Sequence, residues 1–180
     1  MLKLDLALVV LAYGLGCLNA GYYWLRWRDG RDIRELGSGN AGARNAGRLL
    51  GPSGFAVVFA LDAAKGLIAV LAARGLSHEV AALCAVAAAL GHVFPVQLGW
   101  RGGKGVATAI GALAGLDMLV LAVAAAVFAL LRLARRRTTP AGLVALACAA
   151  AFALAFRSMT TGLAALALVA LLSYTHRPRR

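Results

Sequence analysis

The sequence predicts an all-α integral membrane protein, a bundle of seven transmembrane helices with its N-terminus outside and its C-terminus in the cytoplasm. Three observations predict it. The residues are 62% hydrophobic and only 14% charged, whereas a soluble domain is roughly half apolar and a quarter charged. The apolar residues are gathered into long runs, and about 20 such residues make a helix that crosses ~30 Å of hydrocarbon. The basic residues lie between those runs and are unequally shared between the two sides, as the positive-inside rule requires.

Five apolar runs cover residues 4–24, 53–73, 79–98, 106–133 and 141–172. The first has no basic leader and no A-x-A site near its end, so it is expected to be a retained helix and not a signal peptide. The second contains Asp62 and Lys65, three residues apart and therefore on one helix face. Either charge alone at the bilayer centre costs ~2.5–3.5 kcal/mol. The two are expected to pair, as a structural couple or in a role beneath the active surface. The fourth and fifth runs exceed one span, and each divides, at Gly115-Leu116-Asp117 and at Arg157-Ser158-Met159.

Charge decides the division at Asp117. Seven spans place Arg26, Arg28, Arg31, Arg34, Arg44, Arg48, Arg101, Lys104, Arg132, Arg135, Arg136, Arg137, Arg177, Arg179 and Arg180 inside, against Lys3, Arg74 and Arg157 outside, fifteen to three. Six spans give nine and nine. The rule selects seven. Residues 106–116 then form a helix of only roughly 16 Å at 1.5 Å per residue, expected to be a half-helix sheltered inside the bundle. The whole chain, 1–180, reads as one polytopic domain without an internal repeat.

The net charge of +12 would point to nucleic acid in a soluble protein. Between apolar runs it points to topology and anionic lipid headgroups, and no nucleic-acid partner is expected. Cys17, Cys84 and Cys148 lie inside apolar runs without CxxC spacing and read as buried free thiols.

Two segments carry the chemistry, and both are cytoplasmic in the seven-span arrangement. Residues 37–48 read Gly-Ser-Gly-Asn-Ala-Gly-Ala-Arg-Asn-Ala-Gly-Arg. Gly37, Gly39 and Gly42 let the backbone turn its N–H groups toward one point, a nest that suits phosphate. Ser38, Asn40 and Asn45 add hydrogen-bonding groups, and Arg44 and Arg48 add charge with a planar fork. The glycines formally match G-x-G-x-x-G, but no strand precedes them, so a dinucleotide site is rejected.

Residues 91–108 read Gly-His-Val-Phe-Pro-Val-Gln-Leu-Gly-Trp-Arg-Gly-Gly-Lys-Gly-Val-Ala-Thr. Gly102, Gly103, Lys104 and Gly105 form a turn expected to open a helix, whose free N–H groups and ammonium make an anion site. Three residues separate Gly99 from Gly103, and Gly105 stands where a Walker A loop needs Ser or Thr, so ATP is not implied. His92, near a membrane end, reads alone as structural more readily than catalytic.

With the Asp62-x-x-Lys65-Gly66 helix between them, these motifs resemble the PlsY family, the bacterial acyl-phosphate:glycerol-3-phosphate acyltransferases. The likeness runs in order over most of the chain. It implies a seven-helix enzyme of the bacterial inner membrane with a cytoplasmic active surface. It implies transfer of a fatty acyl group from acyl-phosphate to glycerol 3-phosphate, giving lysophosphatidic acid and phosphate, without metal or nucleotide. On this expectation Ser38, Arg48, Lys104 and His176 are catalytic. Gly37, Gly39, Asn40, Gly42, Asn45, Gly102, Gly103 and Gly105 bind substrate phosphate. The sequence departs from the pattern at Arg44, where Thr is usual, and at Cys17, where a Gly-Ser pair is usual. At the end, His176-Arg177-Pro178-Arg179-Arg180 keeps the family's His without its Asn.

Two other readings stand beside this one. A non-catalytic homologue that binds lipid or a partner fits the missing Asn. A small transporter would need polar residues along several spans, and only Asp62 and Lys65 offer them. The His/Asp acyltransferase mechanism is excluded, because none of His78, His92 and His176 has Asp five positions on. The sequence leaves acyl chain length and oligomeric state open.

Overall fold

The computed structural model describes residues 2–177; Pro178, Arg179 and Arg180, the last two counted among the inside charges, lie outside the described residues. Among these residues the regular structure is helical throughout: α1 (Leu2–Cys17), α2 (Ala20–Asp29), α3 (Ala43–Arg74), α4 (His78–Val93), α5 (Val106–Leu116), α6 (Met118–Leu133), α7 (Thr138–Phe156) and α8 (Met159–Thr175), with 3-10 turns at Ile33–Glu35 and Val96–Leu98. Three segments are long and apolar enough to cross a membrane, and up to four if α1 and α2 count as one bent span. α5, α6 and α8 are shorter apolar helices.

The divisions at Asp117 and at Arg157-Ser158 fall where the sequence puts them. Asp117 caps α6 by accepting from the N–H groups of Leu119 (2.9 Å) and Val120 (3.3 Å). Ser158 caps α8 by accepting from the N–H of Thr161 at 3.0 Å. Such caps satisfy backbone donors that the first turn leaves open.

Three boundaries differ from expectation. The first run is two helices that meet at a 43° bend, because Leu18 and Asn19 leave the helix and Asn19 becomes the residue before α2. The second run begins ten residues early, at Ala43. Residues 43–50 are therefore helical and not part of a glycine nest. Gly51 (φ 76°) breaks that helix, and Pro52 restarts it, since glycine tolerates the left-handed φ and proline suits a first turn. The third run ends at Val93, with Pro95 leading into a separate 3-10 turn.

Small residues bring the helices together. α3 packs on α5, α1 on α4, and α6 on α7. A Cβ at Gly66 would overlap the Thr108 carbonyl, and one at Gly111 would overlap the Ala63 carbonyl. The backbones of α3 and α5 thus touch directly, which is how helices associate where hydrophobicity gives no preference for protein over lipid. The bundle brings residues 18–42, 94–105 and 176 to one end, called here the loop end. The connections at 75–77, 117 and 157–158 lie at the other, the far end.

Candidate active site

The first loop is tied by its own side chains. Asp32 accepts from the Arg34 N–H at 2.8 Å, starting the 3-10 turn, and forms an ion pair with the Arg34 guanidinium at 2.7 Å. The hydrogen bond from Arg34 holds the Asp32 carboxyl below its ordinary value, against the effect of burial. The same guanidinium reaches the second loop, where Nη1 donates to the carbonyls of Leu98 (2.6 Å) and Arg101 (3.2 Å). It also lies over the Tyr22 ring at 5.0 Å. Arg34 is therefore the clamp between the two motifs.

The sequence offers the Asn45 amide to a ligand, but the structure commits it to the loop. Its Oδ1 accepts from the Ser38 N–H at 2.9 Å, and its Nδ2 donates to Ile33 and Leu36 at 3.0 and 2.9 Å. Both amide hydrogens are used, so Asn45 shapes the site from inside the fold. Asn40 Oδ1 accepts from the Gly42 N–H at 2.8 Å and closes the turn into α3. Gly37 and Gly39 have left-handed φ of 57° and 69°. Ser38, Arg44 and Arg48 lie at the surface of this end; the two arginines are four apart in the helical stretch and share a face.

The second loop folds back on the end of α4. The N–H of Gly103 donates to the His92 carbonyl at 3.0 Å, and that of Gly102 to the Val93 carbonyl at 3.1 Å. Gly105, with φ 85°, opens α5 as expected. Lys104 is exposed between the buried Gly103 and Gly105. Its carbonyl accepts from Thr175 Oγ1 at 3.1 Å, which brings the end of α8 alongside.

His176 follows directly. Its Nδ1 donates to the Leu172 carbonyl at 2.8 Å, leaving the Nε2 lone pair for other work. Burial, then repulsion from Lys104 and Arg44, hold the imidazole below its ordinary value, against the Leu172 contact. Lys104, Arg44 and His176 therefore share one electrostatic neighbourhood, which joins α3, the second loop and α8.

The starts of α3 and α5, like those of α2 and α7, differ from the capped starts of α4, α6 and α8. Neither Gly42 at α3 nor Gly105 at α5 supplies a side-chain cap. Their backbone N–H groups face the same end of the bundle as the arginines and Lys104, an arrangement that favours anions.

A family model for glycerol-3-phosphate acyltransferases matches residues 6–179. The chain belongs to the glycerol-3-phosphate acyltransferase family. Glycerol-3-phosphate acyltransferase 1 of Desulfitobacterium hafniense strain Y51 is 40% identical over 177 residues, covering 95% of this chain and 87% of that one. Glycerol-3-phosphate acyltransferase 1 of Bacillus anthracis is 36% identical over 172 residues, covering 93% and 91%. The crystal structure of PlsY, an integral membrane glycerol 3-phosphate acyltransferase, in its glycerol 3-phosphate form superposes with a TM-score of 0.87. That match is 34% identical and covers 96% of this chain and 88% of that one. The lysophosphatidic acid form of that protein gives 0.84.

In this acyltransferase, sequence reasoning missed that His92 joins a buried layer beneath the loops. Asp62 and Lys65 pair at 2.9 Å, as expected. His92 joins them, with Nδ1 at 2.8 Å from Lys65 Nζ and 3.5 Å from Asp62 Oδ1. Lys65 also donates to the Leu18 carbonyl at 2.8 Å, which the bend after α1 exposes. Arg34 was missed too, because its partners are carbonyls more than 60 residues away, which no spacing rule reports. Cys17 and Cys84 are buried in the bundle, and Cys148 lies on its outer face.

Proposed function

We propose that this chain transfers a fatty acyl group from acyl-phosphate to glycerol 3-phosphate, at the cytoplasmic face of the bacterial inner membrane, releasing lysophosphatidic acid and phosphate. The observation that carries this reading is the meeting of two cation-bearing segments and the end of α8 at one end of an apolar bundle. Both substrates are phosphates, and both need cationic, N–H-rich partners.

An acyl-phosphate is already activated. The glycerol hydroxyl oxygen attacks the acyl carbonyl carbon, the bond from that carbon to the phosphate oxygen breaks, and phosphate leaves with the electron pair. The protein's task is to hold two anions at reacting distance and to stabilise the oxyanion between them. The α3 start with Arg48 and the α5 start with Lys104 divide the two phosphates. Ser38, at the surface beside the α3 start, hydrogen-bonds substrate. The hydroxyl proton goes to a phosphate oxygen of the substrate or to His176 Nε2, which the contact of Nδ1 with Leu172 leaves as an acceptor. Asn45, Gly37 and Asn40 hold the first loop in shape around this chemistry.

Seven crossings, with the loop end inside, fit the fifteen-to-three charge count. Cysteine placed at position 136 and labelled with an impermeant reagent in intact cells tests the orientation; labelling from outside overturns it. The activity is tested with purified protein, acyl-phosphate and glycerol 3-phosphate, measuring phosphate release and lysophosphatidic acid together. Equal amounts of the two products are expected. Binding of glycerol 3-phosphate without either product identifies the non-catalytic reading instead.

A further inference from the structure

The mechanism above leaves His92 unused, yet the structure spends a buried ion pair on it. His92 lies in the last turn of α4 and is 2% exposed. Its Nδ1 is 2.8 Å from Lys65 Nζ. An ammonium only donates, so Nδ1 accepts, and the neutral ring carries its proton on Nε2. Lys65 is fixed in turn by Asp62 at 2.9 Å and by the Leu18 carbonyl at 2.8 Å. One side of the ring is thus locked by three groups from α3 and the bend after α1.

The other side of the ring faces the second loop. A Cβ at Gly103 would overlap His92 Nε2, so the ring fills the space where a side chain would stand. The His92 carbonyl accepts the Gly103 N–H at 3.0 Å, pressing the same residue onto the ring. The next residue is Lys104, exposed on the loop's outer side.

We propose that His92 is the positioning residue for Lys104: its ring, locked by Lys65 and Asp62, is the floor on which Gly103 rests, and it sets the height and direction of the Lys104 side chain. This rests on the reading of Lys104 as an anion-binding group. A buried charge pair is often no more stabilising than apolar residues of equal size. Here the pair holds one imidazole in one tautomer and one place. Displacing a catalytic group by about 1 Å costs up to about 10²-fold in rate, so a floor of fixed height has a measurable consequence.

Two substitutions separate the two sides of the ring. In His92→Asn the amide oxygen takes the place of Nδ1 and keeps Lys65 partnered, but nothing reaches Gly103. In His92→Gln the amide nitrogen takes the place of Nε2 under Gly103, but the acceptor for Lys65 is lost. We expect His92→Asn to melt like the parent in detergent and to lose about 10²-fold in kcat. We expect His92→Gln to melt lower and yet to keep kcat within about tenfold. A purely structural His92 gives the reverse order, activity following stability. That order, equal losses in both variants, or parental turnover in His92→Asn overturns the proposal. Should either variant fail to insert, Gly103→Ala keeps the His92 side chain but sets a methyl against its Nε2, which forces the loop off its floor. A loss of about 10²-fold in kcat of the folded, detergent-extracted protein is expected there, and parental turnover refutes the idea. The parent's own turnover tests the reading of the site. The Gln-to-Asn ratio tests the positioning, taken on turnover or, for a parent that only binds, on glycerol 3-phosphate affinity.

Discussion

The two ends of the bundle handle their helix starts in opposite ways. At the far end α4, α6 and α8 begin on Ser77, Asp117 and Ser158, and each side chain caps its own helix. The connections there are one to three residues long, and Arg157 pairs with Asp117 at 2.7 Å. At the loop end α3 and α5 begin on Gly42 and Gly105, which supply no cap. Long connections rich in arginine and glycine surround them. The far end satisfies its backbone from within. The loop end leaves the starts of α3 and α5 without side-chain caps, an arrangement that favours anions, and uses its side chains to fix the loops. On the proposed function the far end contributes stability alone, while the loop end carries both the chemistry and the buried layer beneath it, and this division can be attacked.

The largest effect is expected in the buried layer under the loop end. Removing one partner of a buried pair typically costs about 3–5 kcal/mol, because the other charge is left alone. Asp62→Asn and Lys65→Met should each lose folded yield heavily, and the double variant should recover much of it. Folded yield and melting temperature in detergent measure this. Single variants as stable as the parent would show that the layer is not held by its charges.

Lys104 comes next. Losing one preorganised donor typically costs about 10²–10³ in rate. Lys104→Ala should insert and melt normally and lose acyl transfer by about that factor. Lys104→Arg should rescue poorly, because a planar fork does not replace a compact ammonium between two buried glycines. Arginine serving as well as lysine would reduce Lys104 to a headgroup anchor.

The clamp follows. Arg34→Leu removes charge-assisted hydrogen bonds worth about 1.5–3 kcal/mol each, and freeing the second loop should cost roughly 10–100-fold in kcat/KM. Glycerol 3-phosphate kinetics on the intact protein measure it. A change confined to stability would place Arg34 with the far-end pair of Arg157 and Asp117.

His176 gives a smaller and pH-dependent signature. Its imidazole is held below the ordinary value, so the neutral base persists into mildly acidic solution. Turnover should hold as pH falls to the ordinary imidazole value and then drop about tenfold per unit through the lowered one. His176→Gln should abolish this acid limb. Its persistence would assign the proton to a substrate phosphate.

The smallest effect belongs to the far end. Ser158→Ala removes a cap worth about 1 kcal/mol and should lower the melting temperature without changing turnover. A large loss of acyl transfer would break the separation of the two ends.

What is legible in the sequence follows the range of each interaction. The Asp62–Lys65 pair is local, three residues on one face, and reads directly. The helix opening at Gly105 and the breaks at Asp117 and Ser158 are also local and read as well. Asn45 reads as a ligand group because a loop asparagine that binds outward and one that braces its own loop look alike in sequence. Only the fold shows its amide turned toward Ile33 and Leu36. The helix at 43–50 is hidden by the glycine within it and by Gly42 and Gly51 at its ends. Gly47 lowers helix propensity, and tertiary packing overrides that preference. The bend at Leu18 and Asn19 is hidden by an unbroken apolar run, though Asn19 before Ala20 is a helix-start signal.

The direct contact of α3 and α5 through Gly66 and Gly111 has a consequence for biogenesis. An eleven-residue helix of about 16 Å spans only half the hydrocarbon thickness and has no stable depth of its own in lipid. α5 acquires its depth from the backbone of α3, and α3 leaves the ribosome first. Order of synthesis thus places the template in the membrane before the helix that needs it. Lys104, two residues before α5, reaches its place in the second loop as a passenger on that docking.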